Sequence, residues 1–147
     1  MTLRILDTDH ISLILRGHAQ VIRQLQSFNS QEWAVTIISI QEIFNGWIVS
    51  LNDPKYQDRQ VELYTRLWHS NQFFQKAQVL NFDTSAQDRY DQTRLLYPDL
   101  KKPRLEKDVK IAAIAQANQA IVVTRNQRDF TLVPGLQLED WSLPTSP

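Results

Sequence analysis

Four acidic residues stand where side chains of their type do chemistry: Asp7, Glu42, Asp108 and Asp129. Asp7 closes a short apolar run that starts at Leu3, and Glu42 follows the apolar run Trp33 to Ile38 by about one helical turn. Asp108 opens an alanine-rich stretch, and Asp129 follows the run Ile121 to Thr124 after a short polar interval. Carboxylates brought together repel and resist ionising, so a bare cluster is unfavourable. A divalent cation resolves that conflict, and an oxygen-only donor set suits Mg²⁺ or Mn²⁺ better than zinc. Such an ion makes water a stronger nucleophile toward phosphorus, and it or a second ion steadies the leaving oxygen. The matching reaction is phosphodiester hydrolysis to a 5′-phosphate and a 3′-hydroxyl. Taken singly, each acid has a plainer reading. Asp7 or Asp108 can cap a helix or favour its positive end, Asp129 can shape a turn beside Asn126, and Glu42 can be a solvated helix position.

The elements that must position these acids follow from periodicity. Leu3 to Asp7 reads as a buried strand, with a helix from about His10 that Asp9 is placed to cap. His10 is expected in the partly exposed first turn of that helix. Val21, Ile22, Leu25 and Phe28 recur at helical spacing. Trp33 to Ile38 predicts a strand, and Ser39 to Leu51 a helix with an apolar stripe of Ile40, Ile43, Phe44, Trp47 and Ile48. Helices are predicted from Pro54 to about Gln75, from Thr84 to Leu96 with Thr84 as cap, and from Asp108 to Asn118. Strands are predicted at Val79 to Phe82 and Ile121 to Thr124, a turn or short helix at Asn126 to Phe130, and an edge strand at Leu136 to Leu138. Alternating strands and helices predict an α/β domain with a mostly parallel sheet, which binds ligands outside the carboxyl ends of its strands. Asp7, Glu42 and Asp129 would meet there, with Asp108 at a helix start facing the same crevice.

Composition narrows the class. The 147 residues suit one domain, expected over 1–141 with a flexible tail over 142–147. The absence of cysteine removes disulfides, thiolate metal sites and thiol nucleophiles. The three glycines form no phosphate loop, and no Gly-x-Ser-x-Gly elbow occurs. No apolar run approaches the ~20 residues of a membrane span, and the amino-terminal run is broken by charge, so a cytoplasmic protein without a leader is expected. With 16 basic and 16 acidic residues the net charge is zero, which argues against a module that holds nucleic acid by charge alone. A local basic strip remains: Lys101, Lys102, Arg104 and Lys107 lead into Asp108, while Arg125 and Arg128 flank the last motif. These are candidate phosphate contacts, or else an ordinary solvated loop.

Four segments together resemble one family: Ile-Leu-Asp-Thr-Asp-His-Ile-Ser (5–12), Ile-Ser-Ile-Gln-Glu-Ile-Phe-Asn-Gly-Trp (38–47), Asp-Val-Lys-Ile-Ala-Ala-Ile-Ala (108–115) and Val-Val-Thr-Arg-Asn-Gln-Arg-Asp-Phe (122–130). The closing Val-Pro-Gly-Leu-Gln-Leu-Glu-Asp-Trp (133–141) continues the match. The order and spacing are similar to PIN-domain nucleases, and within them to VapC-like toxins of toxin–antitoxin pairs. That resemblance implies a three-layer α/β/α sandwich that cuts RNA with Mg²⁺ or Mn²⁺, usually as a homodimer, under control of an antitoxin protein. It implies catalytic and metal-binding roles for Asp7, Glu42, Asp108 and Asp129, supported by Thr8, Asp9, Thr124 and Asn126. Relatives often carry glycine where this chain has Leu105, so the loop into Asp108 is expected to differ. An antitoxin would lie along helices carrying Phe44, Trp47 and Trp68, unless those aromatics are core.

Two alternatives stay open. Asp7-Thr8-Asp9 after a strand also suits a haloacid-dehalogenase-like phosphatase with Asp7 as covalent nucleophile and Asp9 as acid/base. That reading leaves Glu42 without a role. A PIN-like domain that only binds RNA or protein would be marked by loss of acids, and all four are present.

Overall fold

A computed structural model describes residues 2–144. Among them, five parallel strands form one sheet: β1 (Arg4–Leu6), β2 (Trp33–Thr36), β3 (Val79–Leu80), β4 (Ile121–Val123) and β5 (Leu138–Glu139), in the order β3-β2-β1-β4-β5. Seven α-helices accompany them among the described residues: α1 (Thr8–Leu15), α2 (Ala19–Gln26), α3 (Ile37–Asn52), α4 (Gln60–Lys76), α5 (Thr84–Leu96), α6 (Glu106–Ala117) and α7 (Gln127–Phe130).

Period-two alternation in the central strands builds three layers. Ile5 and Val122 point into a core made with Ala86 and Tyr90 of α5, Val109 and Ile111 to Ala115 of α6, and Phe130. Leu6, Val35 and Val123 point the other way, into a core made with Ile11 and Leu13 of α1, Val21 of α2, Ile43 of α3 and Phe74 of α4. The central strands are mostly apolar, with Arg4 and Thr36 only at strand ends, as a parallel sheet between helical layers requires. The predicted α/β/α sandwich is therefore the architecture observed. No helix among the described residues is long and apolar enough to cross a membrane.

Several boundaries differ from the sequence expectation. Helix α1 starts at Thr8, and its cap is Asp7 rather than Asp9: Asp7 Oδ1 accepts from the Thr8 N–H at 2.7 Å. Strand β2 ends at Thr36, which caps α3 by accepting the Ser39 N–H at 3.3 Å. The helix expected from Pro54 begins as a kinked 3-10 turn over Pro54–Arg59 before α4. Asp83, not Thr84, caps α5, accepting the Ala86 N–H at 3.0 Å. The edge strand lies one to two residues later than expected, at Leu138–Glu139.

The chain is anchored at Trp141, the last residue of the expected domain. Trp141 is buried and stacks on Phe28, with ring centroids 5.2 Å apart. Asp140 Oδ1 accepts both the N–H and the hydroxyl of Ser142. Residues 145–147 of the expected flexible tail lie outside the described residues.

Candidate active site

The chain runs from β1 outward through β2 to β3, then returns to start β4 on the other side of β1. Loops leaving the carboxyl ends of β1 and β4 therefore diverge, and the crevice between them is where open α/β sheets place ligands. Asp7 and Thr124 are the residues that follow these two strands. The Asp7 N–H donates to the Val123 carbonyl at 2.9 Å, which fixes the two chain ends side by side.

Hydrogen bonds join the predicted residues into two groups, linked by the Thr8 N–H on Asp7 Oδ1. In the first, the Thr124 hydroxyl lies 2.8 Å from Asp7 Oδ2 and 3.3 Å from Asp9 Oδ2, and it accepts the Asn126 N–H at 2.9 Å. Asp9 Oδ2 also accepts the Arg125 N–H at 3.0 Å. The Asn126 side-chain amide then donates to Asp108 Oδ2 at 3.1 Å and Asp129 Oδ2 at 3.2 Å, so one amide holds two acids. In the second group the Thr8 hydroxyl donates to Glu42 Oε1 at 2.7 Å. Its one proton being spent there, the buried Ser39 hydroxyl at 2.9 Å must donate to Thr8.

Electrostatics show the same crowding. Burial, helped by the Asp9 charge, pushes the Asp7 carboxyl up to about 8 against the opposing hydrogen bonds from Thr124 and Thr8. Burial, then the charges of Glu42, Asp129 and Asp9, raise Asp108 to about 6. Asp129 goes the other way: Arg104 donates to its Oδ1 at 3.1 Å and holds the carboxyl below its ordinary range. Asp108 thus feels three other acids, and a divalent cation would relieve that repulsion. As the side chains lie, no three acidic or histidine side chains among the described residues close on a single coordination point. Arg104, Asn126 and Thr8 each hold an acid oxygen that an ion would otherwise recruit. The donor chemistry fits a hard cation, given side-chain rotation of the acids.

The Leu105 departure has a structural reason. Leu105 is 2% exposed and belongs to the core, while α6 begins at Glu106 rather than Asp108. A core anchor takes the place of a flexible residue, and Asp108 still reaches Asn126. Of the basic candidates, only Arg104 pairs with an acid of the cluster among the described residues. Lys101, Lys102, Arg125 and Arg128 are not buried, and Lys107 is half-buried.

Three residues around this site escape sequence reasoning. Ser39 reads in sequence only as a helix start, although its spacing of three from Glu42 puts both on one face of α3. His10, expected to be partly exposed, is fully buried and contacts Asp9 and the backbone of Trp141. Asp140 lies 3.5 Å from His10 on the far side, a proximity no local pattern could show.

Beside the site opens a cleft of about 760 Å³. It shares Thr8 and Glu42 with the acids and runs along Ser12, Gly46, Trp47 and His69. A neighbouring apolar groove of about 690 Å³ is lined by Phe44, Ile48, Tyr64 and Trp68. Trp68 is 56% exposed, so it is not core.

Comparison with known proteins gives the family and the fold. The tRNA(fMet)-specific endonuclease VapC of Salmonella typhimurium (strain LT2) is 28% identical over 136 residues, covering 92% of this chain and 96% of the relative. The crystal structure of DNA-bound VapBC from Salmonella typhimurium superposes with a TM-score of 0.78 at 25% identity, over 96% of this chain and 99% of that one. VapBC-1 of nontypeable Haemophilus influenzae shares the fold, with a TM-score of 0.76 at 19% identity, over 97% and 100% of the two chains. The PIN domain family model matches residues 4–136, and this chain belongs to the PIN domain family.

Proposed function

We propose that this chain is a VapC-like endoribonuclease, the toxin of a toxin–antitoxin pair, and that it hydrolyses phosphodiester bonds in RNA at the β1–β4 crevice. The observation that carries this is the joining of Asp7, Asp9, Asp108 and Asp129 through Thr124 and Asn126, with Glu42 tied in through Thr8. Asp7, Glu42, Asp108 and Asp129 are the proposed holders of Mg²⁺ or Mn²⁺. Bound there, the ion would lower the cost of deprotonating water and of charge building on the phosphate. Thr8, Asp9, Thr124 and Asn126 keep the acids in register. Water attacks phosphorus in line, the P–O3′ bond breaks, and the proton count closes as the 3′-oxygen leaves as a hydroxyl.

Arg104, beside Asp129, is the best placed phosphate contact. Lys101, Lys102, Lys107, Arg125 and Arg128 extend that positive rim. An RNA strand entering from the rim at Arg104 would meet Asp129 first. Similarity to proteins solved as VapBC complexes supports an antitoxin partner, and the groove at Phe44 and Trp68 next to the cleft is its proposed seat. A homodimer in the cytoplasm, built from one domain over 1–141, completes the reading.

The phosphatase alternative is disfavoured by Asp9. Its Oδ2 receives Arg125 N–H and its Oδ1 faces His10, so the carboxylate is a holder rather than a free acid/base. The deciding test is cleavage of a mixed RNA by purified protein with Mg²⁺ or Mn²⁺, beside an EDTA control and Asp7→Asn. Cleavage lost in both controls is expected. Cleavage that persists in EDTA refutes the metal-nuclease reading.

A further inference from the structure

His10 is the one histidine with no solvent exposure, and each ring nitrogen has a defined partner. Nε2 lies 3.1 Å from the Trp141 backbone nitrogen, whose hydrogen can only be donated, so Nε2 must accept. The ring proton therefore sits on Nδ1, which donates to Asp9 Oδ1 at 2.8 Å. Asp140 Oδ1, at 3.5 Å from Nε2, is already taken by Ser142 and cannot receive a proton that Nε2 does not carry.

The donor that sets this tautomer is itself held fast. Trp141 stacks on Phe28 and donates its indole N–H to Glu139 Oε1 at 3.1 Å. Glu139 is gripped by Arg4 through two hydrogen bonds of 2.9 and 3.0 Å. The strand at the carboxyl end of the chain is thus wired through His10 to Asp9. Asp9 in turn grips the loop of Thr124 to Asn126, and Asn126 spans Asp108 and Asp129.

We propose that His10 is a positioning residue: its neutral ring, locked with the proton on Nδ1 by the Trp141 backbone, aims Asp9 at the Thr124–Asn126 loop and so sets the spacing of the metal-holding acids. This rests on the nuclease reading for its consequence, but the geometry it asserts is testable without turnover. An unanchored Asp9 has one oxygen free to rotate, and the loop it holds loses a fixed partner. Removing a group that orients a metal's ligands characteristically costs about 10–100-fold in metal affinity or activity.

Three measurements on the full chain decide it. The first is the tautomer of His10 in the wild type, from long-range ¹H–¹⁵N correlation. Nδ1–H is expected, and an Nε2–H ring overturns the proposal whatever the activity proves to be. The second compares two substitutions by Mn²⁺ affinity. His10→Asn carries an amide at the position of Nδ1 and can still donate to Asp9. His10→Gln carries its polar end at the position of Nε2, so it can accept from Trp141 but cannot hold Asp9. Mn²⁺ affinity is expected to fall about 10–100-fold in His10→Gln and to be largely recovered in His10→Asn. The third is RNA cleavage by the same pair, where kcat should follow Mn²⁺ affinity with KM little changed. Equal losses in both variants would reduce His10 to a packing residue and overturn the proposal. If neither variant folds, the wild-type tautomer decides alone. If the wild type binds Mn²⁺ but cuts no RNA, the proposed function fails while the tautomer and affinity results still judge His10.

Discussion

Replacing Asp7 with asparagine should stabilise the metal-free protein, and by an amount that grows with pH. Asp7 is 5% exposed and its carboxyl is raised from 3.8 to about 8. In the folded protein below pH 8 it is therefore mostly the neutral acid, whereas the unfolded chain ionises it from about pH 4 upward. Stability from this group is complete below the unfolded value and is lost as pH rises through the folded one. The slope is about 1.4 kcal/mol per pH unit. Between pH 5 and 7 the wild type should lose about 3 kcal/mol from Asp7 alone, flattening above pH 8, with Asp108 adding a smaller loss toward pH 6. The Asp7→Asn variant has no such loss, and the site can accept the amide. The new carbonyl takes over the Thr8 N–H, the new amide donates to Thr124 Oγ1, and the Thr124 proton turns to Asp9 Oδ2 at 3.3 Å. The assay is urea unfolding in EDTA at pH 5, 6, 7 and 8. The gap between Asp7→Asn and wild type should widen steadily over that range, and saturating Mn²⁺ should narrow it by stabilising the wild type alone. A gap that stays constant with pH, or a less stable variant at pH 8, would refute the claim that Asp7 is a buried acid crowded by like charge.

Other perturbations separate the roles around it. Arg104→Ala should leave stability within about 1 kcal/mol, since Arg104 is 53% exposed. It should raise KM for RNA and lower the slope of log KM against log salt by about 1, read from cleavage at several ionic strengths. Thr124→Val keeps the shape but orphans the Asn126 N–H, and calorimetry should show a loss of about 1–3 kcal/mol together with weaker Mn²⁺ binding. Leu105→Ala should cost about 2–5 kcal/mol in chemical unfolding, because the side chain is 2% exposed in the core beneath the start of α6.

The parts of the site visible in the sequence are those whose position is decided locally. Leu6 and Val123 end short apolar runs, so the polar residues that follow, Asp7 and Thr124, had to lie at strand ends. Asn126 and Asp129 share a turn pattern that a few residues define. What could not be read is what depends on the return of distant chain. Asp7 and Asp9 have identical side chains, and only the extended backbone at Asp7 (φ −70°, ψ 163°) makes it the cap of α1. That leaves Asp9 free to bind the Thr124–Asn126 loop, 115 to 116 residues away. The cleft walls from α4 lie in a stretch that carries no motif, because an exposed tryptophan and an enclosed one look alike in sequence.

His10 shows why a buried polar residue is hardest to foresee. In helix α1, the apolar positions Ile11 and Leu13 announce a core face, and a histidine between them and Asp9 reads as the solvent edge. It is buried because β5 pairs with β4 and brings the backbone of Trp141 over that edge. Burying an imidazole without partners would cost several kcal/mol, and both nitrogens are satisfied here, one by a backbone donor and one by a carboxylate. The cost is offset only if α1 and the segment after β5 are in place together. One chain of contacts thus links the sheet edge to the acid site: closing the sheet at β5 completes the hydrogen bonds proposed to aim Asp9, and a change that loosens residues 138–141 should disturb the acids from a distance.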